Sequence, residues 1–237
     1  MGNQKLEDGN LCKDCAKQLS PWFSDRRRST VEDIKRQLAY REENRGRASQ
    51  FRTTRSYGED CKVLLDEEHR WFTVTRARDL ADANPDILDY TALTGCRVDI
   101  DESRTEQKRE GPDGKEVSYN PPRYEYSYDF YITIFVNNPY FNEMRFQVNS
   151  SSIDITPPSA RPGMPARCNP ETNVEYRNCK KLGEEIRQAL TQVRKDVREK
   201  IEQAAAPKAA VTCPYCGATT TPDASGCCEY CGGAVNG

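Results

Sequence analysis

Residues 124–136 read YEYSYDFYITIFV. Tyr124, Tyr126, Tyr128, Phe130, Ile132, Ile134 and Val136 alternate with Glu125, Ser127, Asp129, Tyr131, Thr133 and Phe135, the alternation running on to Asn137. Successive side chains of a strand point to opposite sides of its sheet, so a period of two predicts a β-strand with its even-numbered face turned to a core. The run exceeds the usual strand of about six residues. It must bend, or run along a sheet whose other face is wet.

Shorter strands are expected on either side: Lys62–Leu65, Trp71–Thr75, Arg97–Glu102, Met144–Val148 and Ser152–Ile155. Gly111–Gly114 and Asn138-Pro139 mark turns before and after the long strand. Asp86–Leu93 interrupts the strands with a turn or short helix. The economical arrangement is one antiparallel sheet of about six or seven strands, curled into a partial barrel.

Helical periods frame this region. Thr30 with Asp33 predicts a capped helix to Arg47, with Val31, Ile34 and Leu38 on its core face. From Val174 to Ala204 a stripe of Cys179, Leu182, Ile186, Leu190, Val193, Val197 and Ile201 predicts a second long helix. That stripe either crosses the sheet or pairs with another chain, and the first is favoured. Residues 157–172 are proline-rich and should lack regular structure. The fold class expected is α+β, in four segments: 1–58, 59–156, 157–206 and 207–237.

Composition narrows the function classes. The 237 residues are 30% charged with a net charge of −2, so the overall balance argues for neither nucleic acid nor an anionic membrane. No apolar run approaches the ~20 residues of a membrane span, and MGNQKLEDGN lacks a secretory pattern. A cytoplasmic setting is expected, with cysteines serving as metal ligands and buried thiols rather than disulfides.

The chemistry concentrates at the end of the chain. Cys213 and Cys216 form CPYC, eleven residues intervene, and Cys228 and Cys231 form CEYC. Paired C-x-x-C hooks at this spacing wrap a tetrahedral zinc ion, and four thiolates leave no open position for catalysis. A structural zinc ribbon is expected, with Cys227 a packing residue beside the ligand Cys228. Cys12 and Cys15 form a third hook. It is half of a second zinc site, a dithiol pair or two inert thiols, and Cys168 and Cys179 are the available candidates to complete it.

The run KLEDGNLCKDCAKQLSPWFSDRRRSTVEDIKRQLAYREEN resembles the start of a bacterial family, domain of unknown function 4428. Lys5, Leu6, Asp8, Gly9, Cys12 and Cys15 match the second half of that family's pattern, and its upstream C-x-x-C is absent here. The resemblance implies zinc binding without an established activity. The strand-rich middle resembles the pleckstrin-homology-like barrels that accompany such modules.

His69 is the only histidine, and its DEEHR setting is expected to be a solvated hairpin tip rather than a proton relay. From Arg26 to Arg55 there are ten basic residues against four acidic ones; from Glu59 to Asp101, eleven acidic against five basic. Charge matching between these segments is favoured over phosphate contacts. The expected function is a non-catalytic zinc-binding adaptor with a protein partner. The alternative is a nucleic-acid-binding protein using the basic helix.

Overall fold

The computed structural model describes residues 4–157, 168–205, 210–222 and 225–235. They form two compact units, with the boundary between Lys195 and Asp196. The fold is α+β with antiparallel sheets. In chain order the elements begin with β1 (Gln4–Lys5), β2 (Asn10–Leu11), α1 (Lys13–Gln18) and α2 (Val31–Gln50). Next come β3 (Arg55–Tyr57), β4 (Lys62–Asp66), β5 (Trp71–Thr75), α3 (Leu80–Ala83) and β6 (Leu88–Asp89). β7 (Leu93–Glu110), β8 (Glu116–Val136), β9 (Glu143–Gln147) and β10 (Ile153–Ile155) follow, then α4 (Val174–Ala205), β11 (Val211–Thr212) and β12 (Thr219–Thr220).

The single curled sheet expected from sequence is instead two four-stranded sheets, and no barrel closes among the described residues. One has the order β3-β4-β5-β6. In the other, β8 pairs with β7 along one side and with β9 and then β10 along the other. The division falls at Tyr90–Ala92, a single 3₁₀ turn through which the chain leaves β6 and enters β7. Between β9 and β10 the Asn149 side chain fills the gap in the ladder. Its Oδ1 accepts the Phe130 N–H at 2.8 Å, and its Nδ2 donates to the Ser151 carbonyl at 2.7 Å.

Along β8 the period-two expectation is met from Tyr128 on: Tyr128, Phe130, Ile132, Ile134 and Val136 are buried, whereas Tyr124 and Tyr126 are half-buried and Thr133 of the other face is buried too. The strand nonetheless starts eight residues before Tyr124. Register jumps from Gln107↔Arg123 to Lys108↔Ser118, so Tyr119–Pro122 stand out of the ladder as a bulge. Pro121 and Pro122 have no N–H to donate, and a bulge is where a strand tolerates them. The apolar face of α4 covers this sheet. Tyr176 meets Tyr128 and Phe130 edge-on at 5.1 and 5.0 Å, and Ile186 and Leu190 are sealed from solvent. Of the expected stripe, Ile201 is exposed.

Helix α2 begins as its cap predicts. Thr30 Oγ1 accepts the Asp33 N–H, and Asp33 accepts the Thr30 N–H in return. Asp8, in the turn between β1 and β2, accepts the Val31 N–H at 2.7 Å, which ties the N-terminal hairpin to the helix start. Leu6, Leu11, Leu19, Phe23 and Ile34 form the small core between them.

Further along α2 the buried stripe is polar: Gln37, Arg41 and Asn44 follow Ile34. Arg41 reaches the Asp86 carboxylate and the Asn84 carbonyl. Asn44 donates to Asn84 and Pro85 and accepts the Ile87 N–H, each at 2.7–2.8 Å. The expected apolar face is thus only the first turns of the helix. Leu38 and Val31 are half-buried.

The proline-rich expectation for 157–172 falls mostly outside the described residues, which resume at Cys168. Pro170–Thr172 is a 3₁₀ turn.

Candidate metal centre

Two hairpins carry the terminal cysteines. β11 and β12 flank Cys213 and Cys216, and a bridge between Cys227 and Ala234 flanks Cys228 and Cys231. The hooks repeat each other bond for bond. The Cys213 N–H donates to the Ala218 carbonyl and the Gly217 N–H returns to Cys213, at 2.8 and 2.9 Å. The Cys228 N–H donates to Gly233 and the Gly232 N–H returns to Cys228, both at 2.8 Å. Gly217 and Gly232 take φ of +71° and +69°, a left-handed turn that favours glycine.

These turns bring four sulfurs together, all within 4.8 Å of one another. Cys213 Sγ lies 3.6 Å from Cys231 Sγ, and Cys216 Sγ lies 3.7 Å from Cys228 Sγ. A tetrahedron with zinc–sulfur bonds of about 2.3 Å has edges of about 3.8 Å, so the donor set fits such an ion.

The protonation pattern points the same way. Backbone N–H groups of Cys216 and Tyr215 hold the Cys213 thiol below its ordinary value. At Cys228 burial pushes up, but the N–H groups of Cys231 and Tyr230 outweigh it and bring the thiol down to about 6. At Cys231 the Gly233 N–H pulls down while Cys213 and Cys216 push the thiol up to about 12. Sulfurs this close cannot all ionise without a cation among them. Among the described residues the apolar core of the module is only Cys213, Cys228 and Val235, with Val211 against it.

Cys227 lies outside the sulfur cluster, directed at the Ser225 carbonyl. Cys12 caps α1 and accepts the Cys15 N–H at 3.3 Å, the same local geometry as the terminal hooks. That N–H lowers the Cys12 thiol, while Cys15 is raised by its hydrogen bond to Cys12. Every cysteine and the one histidine fall within the described residues. Among these, the terminal four form the only group of three or more candidate ligands. Cys168 contacts the Tyr128 hydroxyl at 3.5 Å, and burial raises the Cys179 thiol. Neither is grouped with Cys12 and Cys15.

The basic run is largely occupied within the fold. Arg41 pairs with Asp86, Arg47 with Asp89, Arg52 with Glu68 and Arg55 with Glu67, at 2.8–3.0 Å. Each pair joins the basic segment to the acidic one. Arg26–Arg28 instead form a 3₁₀ turn beside β1, with Arg27 and Arg28 exposed and Arg26 half-buried.

The hairpin tip around His69 is only partly solvated. Glu67 and Glu68 are exposed, but Asp66 is fully buried and accepts His69 Nδ1 at 2.8 Å and the Arg52 N–H at 2.8 Å. The His69 ring stacks on Trp71 at 4.7 Å.

Sequence reasoning passed over one feature of the centre. Tyr215 and Tyr230 occupy the same place in the two hooks, and both rings are exposed. The repeated C-x-Tyr-C was the signal available.

The molecule is thus an α+β protein whose terminal cysteine-rich module can hold a metal ion with four sulfurs. Residues 1–37, about a sixth of the chain, match the family described as a domain of unknown function, DUF4428. No curated protein and no solved structure matches the chain. No helix among the described residues is long and apolar enough to cross a membrane.

Proposed function

We infer that the chain is a non-catalytic adaptor of the bacterial cytoplasm, carrying a zinc ribbon as its interaction module. The supporting observation is the four-sulfur cluster of Cys213, Cys216, Cys228 and Cys231, preformed by twin turns over a core too small to hold them alone. Zinc bound there fixes the module's shape, and its closed shell performs no chemistry. The setting is reducing, since thiolate ligands must stay unoxidised. Cys12 and Cys15 are half of a second zinc site. The central strands act as a pleckstrin-homology-like platform, open rather than closed.

The nucleic-acid alternative is weakened by the four cross-segment ion pairs, and within Arg26–Arg28 Arg28 pairs with Asp25 while Arg26 donates to Gln4 and to the Phe23 carbonyl. The deciding experiment compares the intact chain with Cys228→Ser. In affinity capture from a native lysate, a protein retained only by the metal-loaded chain supports the adaptor. Anisotropy against single- and double-stranded DNA and RNA supplies the opposing outcome. Micromolar binding that collapses with added salt would replace the adaptor with a nucleic-acid binder.

A further inference from the structure

The chain from residue 209 to 237 contains no lysine, arginine or histidine, while Asp223 and Glu229 are acidic. Four thiolates outweigh the charge of a zinc ion, so the loaded ribbon is anionic. Binding to nucleic acid needs cations that neutralise phosphates, and this module offers none. Its other outward feature is aromatic. Tyr215 is 73% exposed and Tyr230 71%, the most exposed large apolar side chains among the described residues.

The Tyr215 ring lies against the second hook. A Cβ built on Gly233 would lie 2.7 Å from Tyr215 Cδ2, so the first tyrosine lies over the second turn, three residues along from Tyr230. Aromatic faces beside a negative centre suit a guanidinium, which is planar, always charged and weakly hydrated. The main unit uses this contact internally. Arg145 sits 3.8 Å from the Tyr131 ring centre, Arg104 4.4 Å from Tyr124 and Arg123 4.5 Å from Tyr119.

We propose that the ribbon docks on an arginine-bearing segment of a protein partner, with guanidinium groups seated on Tyr215 and Tyr230 beside the thiolate centre. This rests on the adaptor role argued above and adds the chemistry of the partner.

The test titrates the full zinc-loaded chain with a labelled peptide of alternating glycine and arginine, and with the same peptide carrying glutamine for arginine. The chain is compared with a Tyr215→Ala, Tyr230→Ala double variant whose zinc content is confirmed, and with the corresponding double Phe variant. The arginine peptide binds the parent and the Phe variant and loses about tenfold in affinity for the Ala variant. The glutamine peptide binds none of them. Equal affinity for the parent and the zinc-loaded Ala variant, or no binding of the arginine peptide, overturns the proposal. If ribbon-dependent capture from lysate persists in that event, the adaptor stands with a different partner chemistry. If capture too is independent of the ribbon, the adaptor itself fails.

Discussion

Arg41 Nη1 lies 3.0 Å from Asp86 Oδ1, joining α2 to the turn before β6 across 45 residues of chain. The Asp86 side chain is fully sealed and that of Arg41 is 9% exposed. Burial raises the Asp86 carboxyl, and Arg41 and Ser20 Oγ, which donates at 2.8 Å, draw it back. Removing one partner strands a buried charge, which costs more than the pair itself contributes. Asp86→Ala should lower unfolding stability by about 3 kcal/mol, measured by urea titration. A loss within the range of an exposed pair would show that water reaches this seam.

The acid limb of stability should come from three depressed carboxyls, Asp66, Asp33 and Glu184, the last brought down to about 2 by hydrogen bonds from Arg187 and Gln188. Burial pushes Asp66 up, but the N–H groups of His69 and Arg52 and the His69 ring hold it below its usual range. Thr30 and Arg36 bring Asp33 down to about 2. A depressed carboxyl contributes fully above its unfolded value of about 3.9 and loses that contribution as pH falls through its folded value. The thermal midpoint should therefore drop between about pH 4 and 2. Asp66→Asn should start lower at neutral pH and fall less steeply in acid. Parallel pH curves for the two proteins would contradict this assignment.

Zinc should stabilise the ribbon alone. Both tryptophans, Trp22 and Trp71, precede Lys195, so their fluorescence follows the larger unit. Cys228→Ser should abolish zinc binding and leave the tryptophan-detected unfolding curve in place, because metal supplies most of the module's folding energy. Cys227→Ser should keep its zinc. Metal analysis of the parent should give one zinc per chain, and two would require Cys12 and Cys15 to find outside ligands.

Two helical glycines should respond in opposite directions. A Cβ at Gly183 would come within 3.1 Å of Val98 Cγ1, where α4 crosses β7, whereas Gly46 in α2 has nothing within 4 Å. Gly183→Leu should cost about 2 kcal/mol through overpacking. Gly46→Ala should stabilise by about 0.8 kcal/mol, the difference in helix propensity. Calorimetry of both variants checks the signs.

What could be read from the chain beforehand was local. The alternation through Ile132, the Thr30–Asp33 cap and the spacing of the terminal cysteines each encode structure within a few residues. The seam of Arg41, Asn44, Asn84 and Asp86 was hidden because polar residues at helical spacing look like a wet face until their distant partners are known. Charge totals anticipated that the basic and acidic segments would compensate each other, without saying that Arg47 meets Asp89. The early start of β8 was masked by Pro121 and Pro122, which normally end a strand and here bulge from one. The interruption expected at Asp86–Leu93 is the 3₁₀ turn at Tyr90–Ala92; that it separates two sheets depends on strand pairing beyond any local pattern.

The twin turns around Cys213 and Cys228 have an evolutionary corollary. Two segments that share the same backbone hydrogen bonds and the same left-handed glycine have the character of interchangeable parts. A ribbon rebuilt from two CPYCG units, or with its halves exchanged, should still assemble, leaving the surrounding residues free to diversify.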